Sequence, residues 1–87
     1  MYYVYVLKSK KDEKLYIGLT GDLRKRFQEH NTGLNISTRY RRPFGLVYYE
    51  AYTSFDDACI REKRLKGFKN AYAELRRRIK KSLEENI

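Results

Sequence analysis

The chain has 87 residues, enough for one domain with one modest core, and its hydrophobic content of 41% excludes a disordered protein. We therefore expect a single domain over residues 1–87. Twenty Lys and Arg residues against eleven Asp and Glu give a net charge of +9, which favours a polyanionic partner such as nucleic acid over an acidic membrane surface.

The first half of the chain changes from a strand pattern to a helix pattern. The runs "YYVYVL" (2–7) and "LYIGL" (15–19) are rich in strand-forming residues, and the polar turn between them predicts a hairpin. A helix follows over "LRKRFQEHN", with Asp22 as its N-cap and Gly33 as its end. Residues 32–43 are rich in turn formers and arginine, which predicts an exposed loop.

The second half predicts one more strand and two helices. The run "FGLVYYEAY" (44–52) is a third strand, and Ser54 with Asp57 forms a variant of the capping box that starts a second helix, which ends near Lys66. After Gly67, a third helix is predicted over residues 70–83. The expected fold class is α+β, with a small three-stranded antiparallel sheet flanked by helices in the order β-β-α-β-α-α.

The basic charge is concentrated near the carboxyl end. Between Arg61 and Lys81, ten Lys and Arg residues against two Glu give +8 of the net +9. The third helix has an apolar stripe, and its basic residues lie on the opposite side. The residues of that stripe are Tyr72, Leu75, Ile79 and Leu83.

Polar side chains lie where apolar ones are expected on two predicted helices. At about 100° per residue, Arg26 and His30 fall on the same side of the first helix as Leu23 and Phe27, so they point toward the sheet. Glu62 falls within the inward stripe of the second helix. Because burying an unpaired arginine is costly, Arg26 needs a carboxylate or an anionic ligand beside it.

The strands bring tyrosines to the same region. Alternation places Tyr5 on one face of the first strand, and Tyr16 shares a face of the second strand with Gly18. A glycine within a strand lets a ligand or another backbone approach closely, so Gly18 predicts a notch in the sheet. The residues that we expect to converge on this notch are Tyr5, Tyr16, Arg26, His30 and Glu62.

Simpler interpretations of these residues remain open. Arg26 and Glu62 can form a structural salt bridge between two helices, and the basic run after Arg61 can be a solvated helix face. The tyrosines can serve only as strand formers. All of these explanations must hold together, whereas one anionic site accounts for the polar residues jointly.

Cysteine content and hydropathy exclude further classes. The single Cys59 excludes an intramolecular disulfide and a clustered thiolate metal site. No apolar run approaches the ~18 residues of a membrane span, and the first charges follow the apolar stretch, opposite to a secretory signal. We therefore expect a reduced, cytoplasmic protein with no membrane partner.

Two short strand motifs and two helices resemble the GIY-YIG nucleases. These are "YVY" (3–5), "YIG" (16–18), "DLRKRFQEHN" and "AYTSFDDACIREKRLK", so the resemblance covers residues 2–66, the expected core. The chain most resembles small stand-alone members related to the nuclease domain of the bacterial excision-repair C subunit. The resemblance implies a divalent-metal-dependent endonuclease that hydrolyses phosphodiester bonds in DNA with little sequence specificity, in DNA repair. The alternatives are a non-catalytic nucleic-acid-binding module of this fold and a nuclease acting on RNA.

The resemblance implies a role for each of the five converging residues. Tyr16 matches the general base or water-orienting group, and Tyr5 matches a second active-site tyrosine. Arg26 matches the phosphate contact, and His30 matches a position that helps to orient the nucleophile. Glu62 matches the sole carboxylate ligand of the divalent metal, Mg²⁺ or Mn²⁺.

Two positions depart from the family pattern, and a third cannot be aligned with it from the sequence alone. Tyr3 replaces the first glycine of the family motif, and Leu19 stands where the excision-repair branch has lysine. Asn70 is the only nearby candidate for the asparagine that follows the acidic helix in the family, and its alignment stays open.

Two basic surfaces are candidate nucleic-acid contacts, because their charge attracts phosphates without taking part in chemistry. They belong to the loop before the third strand and to the outer face of the third helix. The residues concerned are Arg39, Arg41, Arg42, Arg77, Arg78 and Lys81. The expected partner is DNA in single-stranded, duplex or branched form, and the sequence does not define an oligomeric state.

Overall fold

A computed structural model describes residues 1–85 and shows an α+β fold. The elements are β1 (Tyr2–Ser9), β2 (Leu15–Thr20), α1 (Leu23–Thr32), a 3-10 helix (Arg39–Arg41), β3 (Phe44–Tyr52), α2 (Phe55–Gly67), α3 (Lys69–Arg78) and α4 (Lys80–Glu84). The strands form one antiparallel sheet in the order β2-β1-β3, so β1 is central. The predicted fold class is confirmed. The last two residues of the predicted domain, 86 and 87, lie outside the described residues.

Both faces of the sheet are covered. On one face, Val4 and Val6 of β1 pack against α2 and α3. The buried residues of this core are Val4, Val6, Ile17, Ala58, Leu65, Leu75 and Ile79. On the other face, Tyr5 and Leu7 pack with Phe44, next to α1. Because side chains alternate along β1, one strand supplies both layers.

The predicted ends of the first two helices are present. Asp22 Oδ1 accepts the Lys25 backbone N–H at 3.1 Å, and Gly33 ends α1 with a φ of 85°, which favours glycine. Ser54 caps α2 by accepting the backbone N–H of Asp57. Within residues 1–85, no helix has the length and apolar character needed to cross a membrane.

The third helix, predicted as continuous over 70–83, is divided. Ile79 has φ −105° and ψ 23°, which interrupts the helical conformation between α3 and α4. Its β-branched side chain lowers helix propensity slightly. After the break, the Leu83 carbonyl accepts a hydrogen bond from Lys8 Nζ at 2.8 Å, which fastens α4 to β1.

The loop predicted over 32–43 is not wholly exposed. Its first residue belongs to α1, and it contains the 3-10 helix. Thr38, immediately before that helix, is 1% exposed. A buried polar side chain needs a hydrogen-bond partner, so this part of the loop is built into the protein.

The notch predicted at Gly18 is present and is filled by the protein's own Tyr5. The two residues face each other in the β1–β2 register, and the Tyr5 ring lies so close that a Cβ at position 18 would overlap it. Tyr5 is 1% exposed. Gly18 therefore allows a large phenol to lie across the middle of the sheet.

We expect Gly18→Ala to destabilise the protein by ~1 to ~3 kcal/mol, because the added methyl group displaces a buried ring. Urea unfolding measures the loss. The same substitution in a Tyr5→Leu background should cost much less, since the ring that it meets is gone. Equal costs in the two backgrounds would contradict this contact.

Candidate active site

Three buried side chains form a hydrogen-bonded row that joins β1, α1 and the loop before β3. The Tyr5 hydroxyl lies 2.9 Å from His30 Nε2, and His30 Nδ1 lies 2.8 Å from Thr38 Oγ1. His30 is fully buried, and the other two side chains are each 1% exposed. The inward direction of His30 that its helical position predicts is therefore present.

Burial sets the charge state of the row. It lowers the pKa of His30 to about 4, the positive charge of Arg26 lowers that pKa further, and Glu29 opposes both effects. Burial and the neighbouring Tyr16 raise the pKa of Tyr5 to about 12, whereas the positive charge of Arg26 opposes the rise. At pH 7 the imidazole and the Tyr5 phenol are therefore neutral.

Arg26 lies at the open end of the row. Its side chain is 33% exposed, and its Nη1 lies 3.0 Å from Glu29 Oε1. Although burial opposes the effect, the hydrogen bond to Glu29 and the nearby Tyr5 phenol raise the pKa of Arg26. A permanently charged, partly exposed guanidinium can bind an anionic ligand.

Tyr16 and Glu62 adjoin the row from the side of α2. The Tyr16 ring centroid lies 4.9 Å from that of His30 and 6.3 Å from that of Tyr5. Lys66 Nζ lies 5.9 Å from the Tyr16 ring centroid and 3.1 Å from Glu62 Oε2. The structure thus brings Tyr5, Tyr16 and His30 into contact. Arg26 is near enough to influence the pKa of Tyr5, and Glu62 lies next to Tyr16 through Lys66.

The salt bridge considered between Arg26 and Glu62 is wrong. Arg26 pairs with Glu29 within α1, and Glu62 pairs with Lys66 within α2. Residues three or four positions apart are neighbours on a helix surface, so each charge finds a partner on its own helix. Neither charge is used to join the two helices.

The donor set fits a hard divalent cation that keeps most of its waters. Glu62 offers one carboxylate on a side chain that is 21% exposed. Within the described residues, no three His, Cys, Asp or Glu side chains are grouped so as to hold an ion. Mg²⁺ binds proteins through one or two carboxylates and retains several waters, so a single-carboxylate site suits it.

The arginines of the loop before β3 differ in their contacts. Arg41 Nε lies 2.8 Å from Asp12 Oδ2, and this hydrogen bond contributes most to lowering the pKa of Asp12 to about 2. Arg42 donates to the Arg39 carbonyl, and the Arg39 guanidinium lies over the exposed Tyr40 ring at 4.9 Å. Arg41 therefore supports the loop, while Arg39 and Arg42 lie at its surface.

The basic residues of α3 and α4 divide between two sides. Arg78 lines a cleft of about 490 Å³ between β3, α2 and α3, together with Arg61 and Arg64. Arg77 lines a separate groove, and Lys81 is exposed on α4. The single outer face predicted for these residues is thus two surfaces.

A partly buried carboxylate compensates one arginine of the cleft. Glu50 accepts hydrogen bonds from the Tyr48 and Tyr52 hydroxyls at 2.7 and 2.6 Å, and from Arg61 at 2.9 Å. Although burial opposes the effect, these bonds lower the pKa of Glu50. Glu74 also lines the cleft, so Arg64 and Arg78 leave its wall with an excess of one positive charge.

Two residues of the site were not predicted from the sequence. Thr38 lies in a run of turn-forming residues, and nothing in that run distinguishes a buried hydroxyl from an exposed one. Lys66 follows Glu62 by four positions, and this spacing, which is typical of a helical ion pair, was a signal present in the sequence.

Comparison with known proteins agrees with this geometry. The family model of the GIY-YIG catalytic domain matches residues 1–78. The chain belongs to the GIY-YIG family. Two UPF0213 proteins of Streptococcus pyogenes, from serotypes M5 and M1, are each 37% identical to it in an 86-residue alignment that covers 92% of this chain and 92% of theirs. The solution NMR structure of a UPF0213 protein from Bacillus halodurans aligns with a TM-score of 0.54 at 35% identity, over 86% of this chain and 81% of that chain.

Membership in the GIY-YIG family confirms the resemblance predicted from the strand motifs and supports a nuclease-type function with nucleic acid as substrate. GIY-YIG nucleases generally use divalent metals. Among the departures from the pattern, the Tyr3 ring packs against Tyr49 at 5.9 Å, and Leu19 packs on the core of the opposite face. Asn70 is exposed in the first turn of α3.

The buried His30 predicts a pH-dependent stability. Its pKa is about 4 in the folded GIY-YIG domain against a reference value of 6.5, so the unfolded chain binds the proton first as the pH falls. The neutral imidazole makes its full contribution to the free energy of unfolding above pH 6.5. About 2 kcal/mol of that contribution is lost by pH 5. Urea unfolding at several pH values measures this loss.

A His30→Gln variant is the control, because His30 is the single histidine of the chain. The variant should lack the stability change between pH 7 and pH 5. If wild type and variant show the same pH dependence, the buried imidazole is not its source.

Proposed function

We propose that this GIY-YIG protein is a divalent-metal-dependent endonuclease that hydrolyses phosphodiester bonds in DNA with little sequence specificity. The supporting observation is that phenol, imidazole and guanidinium groups meet on one face of the sheet with a carboxylate beside them. A structural core does not require this set, since each polar group loses hydration on burial. The residues proposed to act are Tyr5, Tyr16, Arg26, His30 and Glu62.

Arg26 and Glu62 are proposed to hold the two charged partners of the reaction. The Arg26 guanidinium offers forked donors that match phosphate oxygens, and its 33% exposure leaves it accessible. Glu62 would hold Mg²⁺ or Mn²⁺. When bound, such a cation neutralises charge on the phosphoryl and leaving oxygens.

The two tyrosines are proposed to have different roles. Tyr5, whose pKa is raised to about 12, keeps its proton and holds Arg26 and His30 in place. Tyr16 is the proposed general base or water-orienting group. The ammonium of Lys66 lies 5.9 Å from its ring centroid, on the side of Glu62.

A second candidate function is nucleic-acid binding without hydrolysis, on DNA or on RNA. The cleft with Arg64 and Arg78 supports binding in either case. Cleavage assays on matched DNA and RNA strands distinguish the enzyme from a binding module and identify the preferred nucleic acid.

We expect Glu62→Gln to abolish metal-dependent nicking of plasmid DNA while the protein stays folded. Lys66→Gln is the matched variant, because it breaks the same ion pair and keeps the carboxylate. Both should lose only ~0.5 kcal/mol or less of stability. Only Glu62→Gln should lose Mn²⁺ binding, measured as paramagnetic broadening of the amide signals of α2. Retained Mn²⁺ binding together with EDTA-sensitive cleavage in Glu62→Gln would refute the assignment.

Charge on the basic surfaces should affect DNA affinity rather than turnover. The test compares two double variants. One carries Arg64→Gln and Arg78→Gln in the cleft, and the other carries Arg77→Gln and Lys81→Gln outside it. Removing a lysine or arginine that binds one phosphate flattens the slope of log affinity against log salt by ~0.9 on duplex and ~0.7 on single strands. Turnover at saturating DNA should stay nearly constant. If both double variants keep the DNA affinity and the salt dependence of the wild type, these surfaces only face solvent. The DNA then binds along the arginines of the loop before β3.

A further inference from the structure

The Thr38 hydroxyl makes an unusual contact for its position. Thr38 is the N-cap of the 3-10 helix, a position where a threonine side chain commonly accepts a backbone N–H, yet it makes no such bond. Its Oγ1 instead lies 2.8 Å from His30 Nδ1. The hydroxyl therefore contacts the imidazole of α1 and does not cap its own helix.

The backbone around Thr38 is fixed on both sides. Its N–H donates to the Asn35 carbonyl at 3.2 Å, and its carbonyl accepts the Arg41 N–H at 2.9 Å. The Arg41 carbonyl in turn accepts the Ser9 hydroxyl at 2.6 Å, and the Arg41 side chain pairs with Asp12. A hydroxyl on so constrained a backbone can hold a ring in one orientation.

The two hydroxyl groups that flank His30, those of Tyr5 and Thr38, determine which of its nitrogens carries the proton. A phenol is a stronger hydrogen-bond donor than an aliphatic hydroxyl, and the positive charge of Arg26 acts on the lone pairs of the Tyr5 oxygen. The phenol proton then points to His30 Nε2, 2.9 Å away, which accepts it. The opposite tautomer would direct the Nε2 hydrogen, which carries a partial positive charge, at the oxygen on which the positive charge of Arg26 already acts. Neutral His30 therefore carries its proton on Nδ1 and donates it to Thr38.

We propose that Thr38 is a positioning residue that acts through His30. Its hydroxyl fixes the Nδ1–H tautomer, and this tautomer turns the lone pairs of the Tyr5 oxygen toward Arg26. The proposal rests on the proposed nuclease function, in which Arg26 binds the scissile phosphate. Without the hydroxyl, the imidazole proton can move to Nε2 and compete with Arg26 for the Tyr5 oxygen, so the guanidinium loses an anchor.

The imidazole spectrum tests the tautomer directly, because the chain has one histidine. In ¹⁵N-labelled wild-type protein at pH 7, we expect a protonated Nδ1 and an unprotonated Nε2. Thr38→Val keeps the shape and removes the hydroxyl, so the proton should shift to Nε2 wholly or in part. Thr38→Ser should keep the wild-type pattern. Ser37→Ala is the matched control, because it removes an exposed hydroxyl that contacts Asn35 rather than the imidazole.

Kinetics separate positioning from packing. Thr38→Val should lower kcat on DNA by ~10-fold or more with little change in KM, since it disturbs a group that orients catalytic residues. Thr38→Ser should restore most of the turnover, and Ser37→Ala should match wild type.

A protonated Nε2 in the wild-type protein would overturn the proposal, and this measurement needs no variant to fold. An unchanged imidazole spectrum or an unchanged kcat in Thr38→Val would overturn it as well. A wild-type protein without nuclease activity would instead overturn the proposed function. The two failures are distinguishable, because the tautomer is read without any turnover.

Discussion

The buried phenol of Tyr5, at the centre of the sheet, is the constraint on which the site depends. A buried hydroxyl needs partners for its proton and for its oxygen. His30 on α1 is the hydrogen-bond partner of the phenol, the positive charge of Arg26 on the same helix acts on its oxygen, and Gly18 on β2 leaves room for the ring. The position of one phenol therefore fixes how β2 and α1 are placed against β1.

The central strand β1 separates the hydrophobic core on one face of the sheet from the candidate active site on the other. Val4 points into the core beneath α2 and α3, whereas Tyr5 points to the opposite face, and a register slip of one residue would exchange them. Helix α2 belongs to both regions. Its Leu65 is buried in the core, while Glu62 and Lys66 on its flank reach the edge of the sheet at Tyr16. The helix that stabilises the core thus also carries the carboxylate that lies beside the candidate active site.

Periodicity predicted the faces and ends of the elements but not the partners of the polar side chains. The burial of His30 followed from its place on the α1 stripe, because helical geometry repeats every few residues. Its contact with Thr38 joins a helix to a loop, and no local pattern encodes that distance. The pairing of Arg26 with Glu29 rather than with Glu62 likewise depends on the separation of two helices. That separation is set by the sheet between them, which a sequence pattern does not measure.

The local pairing of the charges has a functional consequence. A buried pair between Arg26 and Glu62 would resist exchange, because breaking it leaves an uncompensated charge. Pairs within one helix contribute only ~0.2 to ~0.5 kcal/mol, so in the proposed nuclease a phosphate would replace Glu29 at Arg26, and a cation would replace Lys66 at Glu62, at little cost. The neutral row of buried groups beneath them keeps its own hydrogen bonds during such an exchange. The site therefore combines a fixed neutral support with charged groups whose partners are replaceable, which is what binding an anionic substrate and a cation together requires.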